Sequence, residues 1–330
     1  MGIVEVVAPD EASRFTGYGA ELAEIQRIRA QKIQPTARAL HLKAHLGAVG
    51  KLVVNAGSQA RLGVFESERS WPVYVRFSNG SSQHQSDKKP DVRGFAVKLV
   101  GVPGRKIISG LEDAVTQDFL FINDPALPFR DPEEFMAFVR AAQGGPAKLL
   151  PRLISGVGFR RAFAILRRAI SSPKVTSFAG HTFHTAAPIS FGTTAAKLAL
   201  VPAPSEALPA IAGDDFLRGD LVRRLRAGAL SWSLKAQFFV DEQSTPIEDA
   251  SVVWAGPWTD LGTLTLFKQD PESARGQQVS ELVESFSFDP WHSLPAHRPL
   301  GAIMRARAEA YRASVMERKA AAEPTTVIEL

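Results

Sequence analysis

The order in which strand and helix patterns follow one another limits the fold of this chain more than any other feature. Four segments in the first 124 residues combine β-branched and aromatic residues and end near Gly, Asn or Asp, which is typical of strands. They are GAVGKLVVNAG (47–57), WPVYVRFSNG (71–80), VRGFAVKLVG (92–101) and DFLFIND (118–124). No helix pattern separates them, and residues 81–91 form a polar loop. Because strands and helices do not alternate, the order favours an antiparallel sheet or closed barrel over a doubly wound fold.

Helix patterns precede, interrupt and follow these strands. Amphipathic helices are predicted over residues 14–33 and, rich in arginine, over 147–170, and another over the last segment between Pro299 and Pro324. Asp131 followed by Pro132 is a helix start. Later segments with strand character are LSWSLKAQFFV (230–240), DASVVWAG (249–256) and LGTLTLFKQ (261–269). We therefore predict an α+β fold, an antiparallel β-barrel with helices inserted and packed outside it.

Composition excludes several classes of site. The 330 residues include no cysteine, which rules out disulfides, zinc thiolates, iron–sulfur clusters and thiol catalysis. The net charge of +5 is mild for this length, and no nucleic-acid-binding motif is present, so no nucleic-acid partner is expected. The first residues lack the pattern of a signal peptide, and no run of about 18 apolar residues could span a bilayer. The sequence therefore predicts a cytoplasmic protein.

The last helix carries an unusual apolar stripe. At helical spacing, one face combines apolar residues with a tyrosine and two arginines: Leu300, Ile303, Met304, Arg307, Tyr311, Val315 and Arg318. An arginine on such a face is costly to bury without an anionic partner, and a guanidinium beside a phenol favours the phenolate, a hard oxygen ligand for ferric iron. The alternative is that both arginines extend to water and Tyr311 is an ordinary core aromatic.

Several further segments, in the same order along the chain, bear on this choice. PVYVRFSNG (72–80), DVRGFAVKLVG (91–101), RALHLKAH (38–45) and DPWHSLPAHRPLGAIMRARAEAY (289–311) resemble segments of the catalase superfamily, and DFLFIND lies where that family has a Phe-Phe-Ile strand. The Arg-x-x-x-Tyr spacing of Arg307 and Tyr311 is similar to the family's proximal motif. The resemblance covers roughly residues 33–320 and is greatest to the short catalase-related haem proteins, which include catalase-like peroxidases and allene oxide synthases.

The resemblance implies a haem b cofactor whose iron is ligated by Tyr311. It also implies that His41 transfers the peroxide proton, with His45 as the competing histidine. Other matching positions are expected to bind the haem: Arg38 and Arg76 its propionates, Arg307 and Arg318 beside the tyrosine, and Phe129, aligned with one gap, by stacking. For each arginine the alternative is an ordinary ion pair, for His41 a histidine whose ring bonds to the backbone, and for Phe129 a core position.

The function implied is reduction of hydrogen peroxide or organic hydroperoxides by a haem oxidoreductase. The family's distal asparagine has no counterpart, since Val115 or Thr116 falls nearest its place, and this disfavours efficient hydrogen peroxide dismutation. The alternatives are rearrangement of fatty-acid hydroperoxides, as in allene oxide synthases, and haem binding without catalysis. No NADPH is expected, and the resemblance suggests a homodimer.

The resemblance also divides the chain. Residues 1–32 are expected to form an N-terminal helical arm, 33–320 the haem-binding domain and 321–330 a tail. Within residues 148–170, six basic residues alternate with Leu, Ile and Phe. This segment either contacts an anionic membrane surface or covers the barrel with its arginines in water.

Overall fold

The computed structural model describes residues 3–30, 38, 40–55, 60–171, 173–206, 208–318 and 320–330. The strands are β1 (Ala44–Val54), β2 (Ser70–Asn79), β3 (Arg93–Val100), β4 (Thr116–Ile122), β5 (Phe183–His184), β6 (Ile189–Phe191), β7 (Thr194–Pro202), β8 (Leu230–Phe238) and β9 (Trp258–Leu266). The helices are α1 (Glu11–Ala30), α2 (Pro132–Ala142), α3 (Pro146–Val157), α4 (Phe159–Ile170), α5 (Phe216–Ala227), α6 (Ala274–Ser285) and α7 (Ala302–Arg318). Two short 3-10 turns span Gly63–Phe65 and Pro295–His297.

Eight antiparallel strands close into a barrel. Their hydrogen-bonded order is β5-β4-β3-β2-β1-β9-β8-β7, and β5 pairs with β7 to close the ring. The short β6 extends β7 outside the ring. The predicted α+β fold, an antiparallel barrel with helices outside, is therefore confirmed. Because the ring is closed, each of these eight strands is paired on both sides over at least part of its length. Exposed strand edges are a common cause of aggregation, and closure reduces them.

Alternation along the strands gives the barrel a dry interior and a polar outer face. The interior is filled by aromatic side chains that contact one another, including Phe77, Phe95, Phe178, Phe183 and Trp232. On the opposite face of β2 to β4, polar side chains stand among apolar ones: Tyr74, Arg76, Ser78, Lys98, Thr116 and Asp118. This outer face of β1 to β4 carries the candidate site.

Two elements close over that outer face. Helix α6 packs on β1, where Val279 and Val283 join Val49 and Tyr74 in one apolar cluster. The chain end lies beside it, since the Tyr74 hydroxyl accepts a hydrogen bond from the backbone NH of Ile328 at 2.8 Å. The polar side chains between these elements are thereby removed from bulk water.

Helix α7 packs against two other helices, α1 and α2. Helix α1 packs along it, and a β-carbon added at Gly19 would lie 3.1 Å from Cβ of Glu309. Arg305 joins the two helices through Glu11, with Nη2 donating to Oε2 at 2.9 Å. Helices α1 and α7 are therefore joined both by close packing and by an ion pair.

The inserted helices follow the expected local signals. Asp131 caps α2, its carboxylate accepting the backbone NH of Glu134 at 2.9 Å, with Pro132 in the first turn. The segment predicted as helical from residue 147 to 170 is two helices, because Gly158 has a φ of +80°, a left-handed conformation that favours glycine. Within the described part of the chain, none of the helices is both long and apolar enough to cross a bilayer.

Most predicted elements occur with shifted ends. Residues 31–33 of the first helix and 56–57 of the first strand lie outside the described residues. One prediction is wrong: residues 249–256 form turns rather than a strand. There Asp249 Oδ1 accepts the backbone NH of Ser251 at 2.9 Å, and the Trp254 indole donates to the carbonyl of Pro246 at 3.1 Å.

Candidate functional site

His41 stands at the entrance to β1 with its ring against β2. Its φ is +56°, an uncommon value for a residue other than glycine. Its backbone NH donates to the carbonyl of Gly80 at 3.0 Å, and ring Nδ1 lies 3.0 Å from the hydroxyl oxygen of Ser78. These bonds fix both the backbone and the ring of this histidine.

The neighbouring strand makes room for that ring. A β-carbon placed on Gly94 of β3 would lie 2.6 Å from Nδ1 of His41 and 2.7 Å from the hydroxyl oxygen of Ser78. Such distances are far shorter than any real carbon contact, so no other residue fits at position 94 without moving the histidine. The glycine of the RGFAVK segment is therefore a packing requirement of His41.

Two arginines lie beside His41 and share one carboxylate. Arg76 on β2 donates from Nε to Glu284 Oε2 at 2.7 Å and from Nη2 to the backbone carbonyl of His41 at 2.9 Å. Arg38 donates from Nε to Glu284 Oε1 at 3.1 Å and from Nη2 to the carbonyl of Phe286 at 2.8 Å. The pKa of Glu284 is lowered: burial opposes this, and the two guanidinium groups outweigh it. Both guanidinium groups thus stabilise the charged form of the Glu284 carboxylate.

The terminal helix supplies the other half of the site. Arg307 Nη2 donates to the hydroxyl oxygen of Tyr311 at 2.8 Å, and the guanidinium carbon lies 5.3 Å from the centre of the same ring. Both contacts place a positive charge beside the phenol of Tyr311. The stripe predicted on α7 therefore brings Arg307 and Tyr311 together.

The two halves are electrostatically linked. Burial, and with it the positive charges of Arg76, Arg307 and Arg38, lowers the pKa of His41 to about 3. Because Arg307 is among them, its guanidinium acts on His41 as well as on Tyr311. The imidazole is consequently neutral throughout the physiological range.

A small cavity lies between β4 and α7. Its volume is about 20 Å³, and its walls include Leu120, Pro290, Met304 and Arg307. This is room for a single water molecule. The side chains of the site are thus packed closely against one another.

A buried acid borders the same region. Burial and the neighbouring carboxylate of Asp118 raise the pKa of Asp289 to about 7, although the charge of Arg307 acts in the opposite direction. Asp289 Oδ1 accepts the backbone NH of Trp291 at 2.9 Å.

The remaining predicted residues fall in different places. His45 lies apart from His41, with Nε2 2.8 Å from Asn79 Oδ1 and Nδ1 4.0 Å from Asp87 Oδ2. Phe129 is buried in an apolar cluster with Ile303 and Met304 of α7 and contacts aromatic rings of α2. The side chain of Arg318 lies outside the described residues.

Thr116, one of the two positions nearest the missing asparagine, belongs to a separate buried network. The Thr116 hydroxyl donates to Glu323 Oε2 at 2.8 Å and lies 3.1 Å from His292 Nε2. Lys98, which is fully buried, bonds the same carboxylate at 2.6 Å and Asp118 at 2.7 Å. Thr116 therefore bonds to the segment that follows α7, through Glu323.

The chain resembles known proteins in structure but not detectably in sequence. No family model and no curated protein matches the sequence. Among solved structures, a fungal catalase superposes with a TM-score of 0.68 at 18% identity, over 89% of this chain and 61% of that one. Catalase A from Saccharomyces cerevisiae gives 0.67 at 16% identity, over 89% and 63%. A bacterial catalase gives 0.62 at 16% identity, over 91% and 60%.

This chain has the catalase fold. The fold expected from the sequence resemblance is thereby confirmed. The chain spans about three fifths of the length of the catalases it matches.

The donors around this catalase-fold site suit haem in their chemistry. Tyr311 offers a phenol oxygen already bonded to a guanidinium, and Arg38 and Arg76 offer donors for carboxylates. Arg38 and Arg76 both donate to Glu284, and the charge of Arg307 also acts on His41, so these side chains can donate to carboxylates such as those of haem. The cavity of about 20 Å³ is far smaller than haem, so the side chains around it would have to separate before haem could bind.

Sequence reasoning missed two residues of this site. Ser78 lies within the quoted RFSNG segment and could have been found from its place on the same face of β2 as Arg76. Glu284 had no such signal, because SELVESF has the ordinary pattern of a helix end.

Proposed function

We propose that this chain binds haem b between His41 and Tyr311 and reduces peroxides. One observation carries the proposal: Arg307 donates to the Tyr311 hydroxyl while its charge also acts on His41. The shared guanidinium supports a pairing of Tyr311 as candidate iron ligand with His41 as candidate proton carrier on a chain that has the catalase fold.

Haem, when bound, would supply a ferric iron that can give two electrons to the O–O bond of a peroxide and regain them from an electron donor. Tyr311 would be the protein ligand, and Arg307 would hold it as phenolate. Arg38 and Arg76 would bind the cofactor's carboxylates, taking these in place of Glu284. In the present structure these arginines already donate to oxygen atoms: Arg307 to the Tyr311 hydroxyl, and Arg38 and Arg76 to the Glu284 carboxylate.

His41 is suited to move the peroxide proton. Its low pKa keeps the imidazole neutral, so it can accept a proton from the oxygen nearer the iron and deliver it to the departing one. The bond to Ser78 occupies Nδ1, which leaves Nε2 for this exchange. The bonds at Gly80 and Ser78 hold the ring in one orientation during both transfers.

The substrate is proposed to be a hydroperoxide in preference to two molecules of hydrogen peroxide. Val115 and Thr116, the two positions nearest the missing asparagine, have no side-chain amide that could hold hydrogen peroxide. Without that amide, we expect hydrogen peroxide to be held less firmly, which favours an organic hydroperoxide as the substrate. The same absence keeps hydroperoxide rearrangement as the second candidate.

Absorption spectra with added haemin test the cofactor assignment. The wild type is expected to show a ferric spectrum with phenolate character, and Tyr311→Phe to lose it. Tyr18→Phe, on α1, is the matched control and should retain the wild-type spectrum. Equal spectra for Tyr311→Phe and the wild type would refute the ligand, and absence of haem binding in the wild type would refute the function.

Product analysis tests the reaction. A fatty-acid hydroperoxide should yield the corresponding alcohol when an electron donor is present, and His41→Gln should slow its consumption by about 100-fold or more. A rearranged product without an alcohol would favour the second candidate. If the protein binds haem but does not consume peroxide, the proposed enzymatic activity is refuted and haem binding alone remains.

A further inference from the structure

Helix α4 presents apolar side chains to solvent as well as to the core. Its inner face buries Ala162 and Ile165. On its outer face Phe159 is 64% exposed, Phe163 47% and Ile170 74%. At 100° per residue these three fall within about 40° of one another, a continuous stripe. The two phenylalanine rings contact each other at 4.7 Å between centroids, so the stripe forms one patch.

Basic side chains flank this patch. Arg160 and Arg167 are exposed, and among the described residues neither has an ion pair or a hydrogen-bond partner for its side chain. By contrast Arg161 and Arg168, on the inner side, are paired with Glu134 and Asp124. The arginines of α4 therefore divide into a structural pair and an exposed, unpaired one.

The segment that includes α3 and α4 is positively charged throughout. Residues 146–170 contain six Lys or Arg and no Asp or Glu. Lys148 and Arg152 of α3 are also exposed. An exposed apolar stripe with unpaired cations beside it matches the chemistry of an anionic lipid surface, where acyl chains receive the apolar groups and headgroups receive the arginines.

From this we propose that the outer face of α4, formed by Phe159, Arg160, Phe163, Arg167 and Ile170, docks on the surface of an anionic phospholipid bilayer. A second copy of the chain fits less well. A two-fold dimer through this face would bring the same unpaired arginines of both copies together. A bilayer supplies the opposite charge instead.

Docking would place the site close to lipid. The inner face of α4 shares an apolar cluster with Ile303 and Met304 of α7, and Met304 lines the cavity beside Arg307. The helix proposed to contact the membrane thus packs against the same cluster as the helix that carries Tyr311. Membrane binding itself does not require haem, so its test is independent of the proposed function.

Vesicle sedimentation tests the proposal with the full chain. The wild type is expected to sediment with mixed phosphatidylcholine–phosphatidylglycerol vesicles, more weakly as salt increases, and not with phosphatidylcholine alone. Phe159→Ser/Phe163→Ser should weaken binding by roughly tenfold or more. Arg160→Gln/Arg167→Gln should weaken it about fivefold per arginine, roughly 30-fold for the pair.

Matched controls remove similar groups elsewhere. Val240→Ser/Val253→Ser changes two valines that are 62% and 47% exposed, and Lys51→Gln/Arg105→Gln removes two exposed charges. The apolar control should bind like the wild type, and the charge control should lose far less affinity than the α4 arginine pair. All substituted side chains are exposed, and circular dichroism checks that each variant is folded.

Three results would overturn the proposal. The first is failure of the wild type to sediment with anionic vesicles. The second is unchanged binding of both α4 variants. The third is a concentration-dependent dimer in solution that Phe159→Ser/Phe163→Ser abolishes, since the face would then be covered by a second copy.

Discussion

The imidazole of His41 occupies the space that a side chain on Gly94 would need. Any β-carbon at position 94 would lie 2.6 Å from Nδ1 of His41. A residue on β3 therefore determines the position of a histidine that precedes β1, across the whole width of β2.

Gly94→Ala is expected to displace His41. Overpacking of this kind costs about 1–3 kcal/mol of unfolding free energy. The displaced ring would be more solvated, so its pKa should rise from about 3 toward the ordinary 6.5. NMR titration of the histidine ring would show it, and Gly17→Ala, where nothing lies within 4 Å, is the control. An unchanged His41 titration in Gly94→Ala would contradict this account.

Glu284→Gln is expected to strengthen haem binding. The substitution removes the negative charge that Arg38 and Arg76 now share, so the carboxylates of the cofactor meet less competition for both guanidinium groups. A charge-assisted bond regained in this way increases affinity by about tenfold. Haemin titration measures it, with Glu281→Gln, an exposed position on the same helix, as control. Weaker haem binding by Glu284→Gln would show that the carboxylate assists the cofactor.

Glu323→Ala is expected to destabilise the protein by about 3 kcal/mol at neutral pH. The substitution removes a carboxylate that bonds Lys98 and Thr116, and leaves the buried ammonium with Asp118 alone. Urea unfolding provides the measurement. Glu329→Ala, exposed in the same segment, should change stability by no more than about 0.5 kcal/mol. Equal losses in both variants would mean that the buried network adds nothing.

Asp289 should make stability depend on pH in an unusual direction. Its carboxyl keeps a proton up to about pH 7 in the folded state and only to about 3.8 when unfolded. Between these values the folded state binds more protons, so its stability falls as pH rises, by about 1.4 kcal/mol per unit. Asp289→Asn removes this slope. The difference between wild type and variant, followed by urea unfolding between pH 5 and pH 8, should change up to about pH 7 and then level off. Parallel curves would refute the raised pKa.

Local patterns predicted the strands that carry the site but not all of the barrel. Strands β1 to β4 are rich in Val and Phe and were found from the sequence. Strand β7 (Thr194–Pro202) was missed because alanine and Lys197 weaken its strand pattern. It forms because β8 and β5 pair with it on both sides. Tertiary pairing decided its structure, and no local signal contains that information.

The site divides in the same way. His41 and Tyr311 lie in segments whose spacing can be read along the chain, and the structure puts Arg307 in electrostatic contact with both. Glu284 could not be predicted, since its role depends on the contact of α6 with β2. The apolar patch of α4 that we propose to bind membranes needed the structure as well, because the sequence does not show which arginines form ion pairs.

The pairing of β1 with β9 has a consequence for synthesis of the protein. Strand β1 is among the first parts of the barrel to leave the ribosome, while β9 and α7 come from the last quarter of the chain. At about 5–20 residues per second, the edge of β1 waits on the order of ten seconds or more for its partner. During that time the nascent chain has His41 but no Tyr311, so the two halves of the proposed haem site cannot yet meet. If haem binds as we propose, it does so only after α7 has been synthesised, and until then the unpaired edge of β1 is open to aggregation.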